Sequence, residues 1–140
     1  MDVYLMPMFN KLMVKDIQKA AAWYTDLLGF TSLFAFKNEN NEVSMNHLRL
    51  KNYQDIMLIQ SEAFTAGDGL RMNLTVDHLH ELAERIPEKF IIEALEKQPW
   101  NAEEMTIRDC DGYLITLTQA GTETTDSFET VIDRVSEKFN

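Results

Sequence analysis

The side chains best suited to acid–base or metal chemistry are three histidines, which are spread along the chain. His47 alternates with Met45 and Arg49 in a stretch typical of a strand, so its imidazole can face a cavity. A lone strand histidine is nevertheless more typical of a hydrogen-bonded residue than of a ligand or base. His78 and His80 stand two residues apart at the start of a predicted helix, where they point to different sides and indicate exposed polar residues.

The other reactive side chains are two adjacent carboxylates and one thiol. Glu103 and Glu104 begin a predicted strand and point to opposite faces, so they do not form a paired acid–base site. Cys110 lies between Asp109 and Asp111, whose negative charges disfavour the thiolate, and we expect no catalytic role for it. One cysteine forms no intrachain disulfide, which favours a reducing, cytoplasmic location.

Composition limits the classes of protein and of partner. The 140 residues are 45% hydrophobic and 10% aromatic, as expected for a single globular domain with a sizeable core. The 23 acidic residues outnumber the 13 basic ones, and the net charge of -10 disfavours nucleic acid and anionic membranes as partners. No apolar run approaches the ~20 residues of a membrane-spanning helix, and the first residues lack the features of a signal peptide.

Hydrophobic periodicity predicts a strand, a helix and three strands in the first half of the chain. Asp16 is placed to cap the helix, and Gly29 is placed to end it in a left-handed conformation. The predicted strands cover 8–14, 31–37, 43–50 and 54–60, and the apolar face of the helix consists of Ile17, Ala20, Ala21, Tyr24, Leu27 and Leu28.

The same order begins again after a glycine-containing loop at 61–69. A strand at 71–76 precedes a helix that Asp77 is placed to cap and Pro87 to end. The stretch near 90–97 is compatible with a strand or a helix. Two further strands, 103–108 and 113–119, are joined by a tight hairpin at Asp109–Gly112. The apolar face of this second helix consists of Leu79, Leu82, Ala83 and Ile86.

The order strand, helix and three strands occurs twice, with a repeat of fifty-odd residues, and this repeat determines the predicted fold class. Two similar modules, about 8–61 and about 70–119, indicate an α+β protein rather than a doubly wound parallel sheet. Beyond them, a C-terminal helix is predicted over about 125–139, and we expect it to pack on its own domain rather than on a partner chain. Its apolar stripe consists of Phe128, Val131, Ile132, Val135 and Phe139.

Two segments resemble the vicinal oxygen chelate superfamily, which comprises glyoxalases, bleomycin-resistance proteins and extradiol dioxygenases. The stretch 16–30 resembles the first-helix signature of that superfamily. Arg108–Tyr113 resembles its Asp-Pro-Asp-Gly hairpin, with Cys110 where proline is usual, and Pro99 and Trp100 fit the approach to that hairpin. The resemblance covers about 8–119, and its matching helix positions are Asp16, Ala20, Trp23, Tyr24, Leu28, Gly29 and Phe30.

The resemblance implies a single domain over 1–140, in which two tandem βαβββ modules form curved sheets around a cup. It also implies a homodimer. Many members bind a divalent metal through four His, Gln or Glu side chains, and the resemblance assigns those positions to Phe9, Met57, Arg71 and Thr116. None of the four is a histidine or carboxylate, and the Arg71 cation repels a metal. We therefore expect no metal and no cofactor.

Strand alternation from these four positions assigns further side chains to the cup. Phe34, Phe36 and Trp100 are candidate aromatic walls, for which core packing is the favoured alternative. A pair between Asp55 and Arg71 that fills the cup is another alternative. The candidate ligand-binding residues are Phe9, Lys11, His47, Asp55, Met57, Arg71, Asn73, Trp100 and Thr116. The opposite, helix-covered face is predicted to hold Leu12, Val14, Ile56, Leu58, Met72, Leu74, Val76, Ile115 and Leu117.

Three functions follow as hypotheses. The favoured one is a metal-independent protein of the bleomycin-resistance type that sequesters a small organic molecule. In the family that the chain resembles, acidic grooves can hold cationic glycopeptide drugs, which makes such a drug one possible ligand among many. The second is a lyase, isomerase or dioxygenase with an atypical active site, for which His47 and Asp55 are the candidate groups. The third is an interaction domain whose dimer surface matters more than its cup.

Overall fold

The computed structural model describes residues 8–120, which form two units built to the same plan. One unit comprises the residues up to Asp68 together with Asp109–Tyr113, and the other comprises Gly69–Arg108 and the residues from Leu114 onward. Each contains one four-stranded sheet. The α+β class and the repeated modules are therefore confirmed, whereas the helix predicted over about 125–139 lies outside the described residues. Within 8–120, no helix is long and apolar enough to cross a membrane.

The first sheet has the strand order β1-β4-β3-β2. Strand β1 runs parallel to β4, and the other neighbouring strands are antiparallel. Helix α1 continues directly into a π-helical segment, and both lie between β1 and β2 in the chain. The bounds of these elements are β1 Phe9–Val14, α1 Ile17–Ala22, the π-helical segment Trp23–Leu28, β2 Thr31–Lys37, β3 Val43–Lys51 and β4 Gln54–Gln60.

The second sheet repeats this order as β5-β8-β7-β6, with β5 parallel to β8. The stretch near 90–97 is a strand, which settles the choice that the sequence left open. The bounds are β5 Arg71–Thr75, α2 Leu79–Arg85, a 3-10 turn Glu88–Phe90, β6 Ile91–Gln98, β7 Ala102–Arg108 and β8 Leu114–Ala120.

Both main helices begin against a glutamine from the last strand of their module. The Asp16 side chain caps α1 as predicted, accepting the Lys19 N–H at 3.1 Å. Gln60 Oε1 accepts the Ile17 N–H at 2.9 Å. In the second module the predicted Asp77 cap is wrong, because α2 begins after His78, whose side chain makes no capping hydrogen bond.

The glutamine supplies the missing acceptor at the second helix. Gln119 Oε1 accepts the Leu79 N–H at 2.8 Å, as Gln60 does in the first module. The free N–H groups of a helix start need acceptors, and here a strand side chain provides one. The repeat thus extends to the way in which each helix is fixed to its sheet.

The nine apolar side chains predicted for the helix-covered faces lie in the core. All nine are buried, the most exposed being Val76 at 7%. Tyr24 and Leu28 of the π-helical segment are buried, whereas Leu27 is only half-buried. Gly29 then ends this helix with a left-handed φ of 86°. Burial of this layer is the main source of stability for each unit.

The turn Asp109–Tyr113 is held within the first unit by a buried carboxylate. The Tyr24 hydroxyl donates to Asp109 Oδ2, and the N–H groups of Asp111 and Tyr113 each donate to Oδ1 at 2.9 Å. Burial raises the pKa of Asp109 and outweighs these hydrogen bonds, which favour the carboxylate. Burial and the nearby Asp109 charge raise the Tyr24 pKa well above its ordinary value. Tyr24 therefore acts as a donor and stays neutral.

Removing the Tyr24 hydroxyl should destabilise the protein. We expect Tyr24→Phe to lower the free energy of unfolding at neutral pH by about 1–3 kcal/mol, because the buried Asp109 carboxylate loses a donor. Because burial raises the pKa of native Asp109, the loss should shrink as acid protonates that carboxyl. Urea unfolding at neutral pH and at about pH 4 checks both statements. Tyr113→Phe, which removes an exposed bond to the Met13 carbonyl, is the control with a smaller loss; equal losses would contradict the assignment.

The Cys110 thiol should be nearly inert in the folded protein. Burial, followed by the charges of Asp111 and Asp109, raises the pKa of Cys110 to about 12. Because only the thiolate reacts, we expect alkylation by iodoacetamide at about pH 8 to be about a thousandfold slower than for an unperturbed cysteine. The same protein in urea is the control and should react at the ordinary rate. Rapid labelling of the folded protein would contradict this account of Cys110.

Candidate functional site

The first sheet presents one face that α1 does not cover, and we call it the open face. Strand pairing arranges its side chains in three rows across β1, β4, β3 and β2. The first row is Phe9, Asp55, Arg49 and Thr31; the second is Lys11, Met57, His47 and Phe34; the third is Met13, Ile59, Met45 and Phe36. Five of the nine predicted ligand-binding residues thus share this face.

A buried carboxylate organises the polar part of the open face. Arg49 binds Asp55 with two hydrogen bonds, from Nε to Oδ1 at 2.7 Å and from Nη2 to Oδ2 at 2.8 Å. His47 Nε2 lies 2.7 Å from Asp55 Oδ2. Both carboxylate oxygens are therefore engaged, and the planar guanidinium fixes their orientation.

The partners of Asp55 keep it ionised. Burial alone would raise the pKa of this carboxyl, but the hydrogen bonds from Arg49 and His47 outweigh burial and hold the pKa below its usual value. The carboxylate is therefore charged at neutral pH, and its charge is already compensated by the adjacent guanidinium.

An aromatic ring covers the imidazole of this cluster. The Phe9 ring lies 5.2 Å from the His47 ring, between centroids, and is tilted by 44°. Strand β1 supplies Phe9, β3 supplies His47 and β4 supplies Asp55, so three strands build the cluster. Among the residues that the structure describes, none makes a hydrogen bond to His47 Nδ1.

The third row and its neighbour Phe34 make the rest of the open face apolar. Phe34 and Phe36 meet edge to face with 4.3 Å between centroids, and they are 56% and 40% exposed. Met13 is 44% exposed. Core packing, the favoured alternative for the two phenylalanines, is therefore wrong. They lie on the edge strand β2, which is exposed along its whole length.

The candidates of the second sheet lie in hydrogen-bonded pairs on a polar face. Arg71 pairs with Glu93 at 3.0 Å and Asp55 pairs with Arg49 at 2.7 Å, so each member of the suggested Asp55–Arg71 pair has another partner within its own unit. The Asn73 amide donates to the Thr118 hydroxyl at 3.1 Å. Thr106 and Thr116 share a hydrogen bond of 2.8 Å.

The remaining candidates lie elsewhere in the second unit. Trp100 lies in the turn between β6 and β7 and is 41% exposed, so it is neither core nor part of the strand faces. The two carboxylates of Glu103 and Glu104 separate as predicted. Glu103 pairs with the exposed His80 at 2.6 Å, and Glu104 accepts the Thr118 hydroxyl at 2.7 Å.

The four metal positions do not fit a divalent metal. On the first sheet, Phe9 has no donor atom and Met57 offers only a soft thioether. On the second, Arg71 is a cation that already pairs with Glu93, and the Thr116 hydroxyl is engaged by a neighbouring threonine. Within 8–120, no group of three or more His, Cys, Asp or Glu side chains is placed to hold a metal.

Arg49 was not predicted to belong to the site, and the register of the hairpin explains why. A two-residue turn at Asn52 and Tyr53 joins β3 to β4 and pairs Lys51 with Gln54. Tyr53 takes a left-handed φ of 67° there. Continued without a break, that register would place Leu50 opposite Asp55. An irregularity between Arg49 and Lys51 shifts it by one residue and places Arg49 opposite Asp55 instead.

A groove of about 560 Å³ lies on the helix side of the first unit, between the start of α1 and the turn from β2 to β3. Three of its polar side chains already serve the local backbone. Asp16 and Gln60 cap α1, and Asn38 Oδ1 accepts the N–H groups of Asn40 and Glu42. This groove therefore belongs to the scaffold.

Solved structures share this fold at low sequence identity. TioX from Micromonospora sp. ML1 is 20% identical, with a TM-score of 0.65 over 81% of this chain and 98% of that one. The fosfomycin resistance protein FosX from Listeria monocytogenes is 15% identical, with a TM-score of 0.67 over 88% and 98% of the two chains. A glyoxylase/bleomycin resistance protein/dioxygenase domain from Frankia sp. EAN1pec is 17% identical, with a TM-score of 0.67 over 87% and 96%.

Sequence comparison is informative at the level of the family. No curated protein sequence matches the chain. Residues 5–117, which include the first module and all of the second except the end of β8, match the family model described as Glyoxalase/Bleomycin resistance protein/Dioxygenase superfamily. With this match and the two repeated modules, the chain belongs to the glyoxalase/bleomycin resistance protein/dioxygenase superfamily.

Proposed function

We propose that this protein binds a small organic molecule on the open face of its first sheet without the help of a metal. The observation that carries the proposal is the exposed Phe34–Phe36 pair beside the fixed His47–Asp55–Arg49 cluster. A surface that combines apolar side chains with a few oriented polar groups is typical of small-molecule sites. The proposal includes a homodimer in the cytoplasm.

The exposure of the apolar side chains supports this proposal. Large aromatic side chains stabilise a fold when they are buried, yet Phe34 and Phe36 stand largely in solvent. The half-buried Ile59 and Met45 connect Phe36 to the exposed Met13 at the other edge of the sheet, so the third row is apolar across all four strands. An apolar surface of this kind is typical of binding sites. A ligand that covers this surface gains the hydrophobic stabilisation that folding has left unused.

The side chains at the four metal-ligand positions of the family support binding without a metal. The neighbour FosX has been solved with Mn(II) and a dihydroxypropylphosphonic acid, so that protein combines a metal with a small anionic molecule. In this chain, Phe9 and Arg71 stand where the family resemblance puts two of the metal ligands, and neither donates a lone pair to a metal. We therefore propose that this chain binds a small molecule, as other members of the family do, but does so without a metal.

A metal-free acid–base enzyme is the second candidate, and one distance favours it. His47 Nε2 lies 2.7 Å from Asp55 Oδ2, so the two groups named from the sequence do meet. A carboxylate that orients an imidazole is a recurring arrangement in general-base catalysis. Such an enzyme would use the same open face but would convert the molecule that it binds.

Native mass spectrometry of protein purified without an affinity metal or chelator tests the proposal. We expect a dimer without metal that carries an organic adduct. One metal ion per subunit would contradict metal-independent binding, and a monomer would contradict the homodimer. The released adduct is then incubated with fresh protein and analysed again: recovery unchanged supports a binding protein, whereas conversion to a product favours the second candidate.

The cluster of Asp55, His47 and Arg49 should contribute to the stability of the protein. Asp55→Asn should lower the free energy of unfolding at neutral pH by about 2–4 kcal/mol, because it removes the charge that His47 and Arg49 contact. The native Asp55 pKa lies below its usual value, so this contribution is full above the unfolded pKa and is lost as the pH falls through the native one.

Urea unfolding measured at several pH values checks this expectation. Glu93→Gln is the matched control, since it breaks the exposed pair with Arg71 and should change stability by less than about 1 kcal/mol. An Asp55→Asn protein as stable as the unmodified one at neutral pH would show that the cluster is not a stabilising unit.

A further inference from the structure

We infer that the molecule bound by the open face is an anion with a planar apolar body, and that its anionic group binds at Lys11. This inference rests on the proposed function, because it names the chemical class of the ligand for that same face. It differs from an expectation based on net charge, since a chain with a charge of -10 would favour cationic ligands.

The charges of the open face differ in sign from those of the chain. Its three rows contain two fixed cations, Lys11 and Arg49, and one acid, Asp55. Arg49 and His47 use three of the four acceptor positions of the Asp55 carboxylate, and the Asp55 side chain has no solvent-exposed surface to offer a cationic ligand. The fixed charges of the face therefore sum to one positive charge, which favours anions over cations.

Lys11 is the group placed to receive an anion. It is exposed in the second row, and no acidic side chain among the residues described pairs with it. Met57 lies directly beside it on β4, followed by His47 on β3. Strands lie about 4.8 Å apart, so the backbones of Lys11 and His47 are about 10 Å apart. The Met57 thioether between them carries no charge that competes for an anion.

The apolar body of the ligand then extends over the third row. Successive side chains on one face of a strand lie about 7 Å apart, so a molecule the size of two fused rings reaches from Lys11 to that row. Met13, Ile59, Met45 and Phe36 form it, and Phe34 borders it. Methionine side chains adapt to flat apolar surfaces, and exposed phenylalanines offer ring contacts.

Two fluorescent probes measure separately how an anionic group and an apolar body contribute to binding. Anilinonaphthalene sulfonate carries a negative charge, and N-phenylnaphthylamine has the same rings without it. Titrated into the unmodified protein at low salt, the anionic probe should bind at least about fivefold tighter than the neutral one. Lys11→Gln should abolish that preference, whereas Lys19→Gln, which removes an exposed charge from α1, should leave it intact. Phe34→Ser should weaken the binding of both probes by a similar factor.

The outcomes distinguish this inference from the proposed function. If the two probes bind equally and Phe34→Ser weakens both, the open face binds small molecules but the anion preference is wrong. If the preference persists in Lys11→Gln, the anionic group binds elsewhere and the inference fails. If neither probe binds, or if binding is unaffected by Phe34→Ser, the open face is not the site and the proposed function fails with it.

Discussion

Each sheet of this protein has one main helix to cover it, and that constraint shapes both the core and the candidate site. Side chains on a strand alternate between two faces, so covering one face necessarily leaves the other without a helix. The covered face of the first sheet is mainly apolar, with Val14 and Leu58 fully buried, and its buried Asn46 is hydrogen-bonded to Ser32. The side chains of the open face either tolerate exposure or serve in binding. Phe34 and Phe36 do not fit the first description.

The polar cluster shows how a charge is kept on a mostly apolar surface. A buried carboxylate is costly unless it is paired and hydrogen-bonded. Asp55 meets that requirement through three contacts, two from Arg49 and one from His47. One end of the open face is therefore polar, with the Asp55 charge compensated by Arg49, and the other end is apolar, with exposed phenylalanine rings. Sites of this kind select ligands by shape and by a small number of oriented contacts.

The sequence predicted what depends on local patterns. Strand alternation identified the covered faces, helical spacing identified both helices, and Asp16 and Gly29 delimited the first of them. The two modules and their family were predicted from the repeat and two motifs. Each strand, cap and motif is encoded within a few residues, and the repeat is the same local pattern occurring twice, so these features can be read without knowing the three-dimensional structure.

The features that the sequence did not reveal depend on contacts between distant segments. Gln119 caps a helix that begins forty residues earlier, and Asp77 was the better local candidate. The same limit applies to the site. His47 and Asp55 were both selected, but their contact and the part played by Arg49 follow from the register of β3 on β4. The exposure of Phe34 and Phe36 depends on β2 lying at the sheet edge, which periodicity does not indicate.

The methionine methyl groups provide the most direct test of where a ligand binds. Met13, Met45 and Met57 lie on the open face, whereas Met72 and Met105 are buried on the helix-covered side of the second sheet. A methyl NMR titration with anilinonaphthalene sulfonate should shift the resonances of the first three and leave the latter two unchanged. Shifts at Met72 and Met105 without shifts at Met13, Met45 and Met57 would contradict the account.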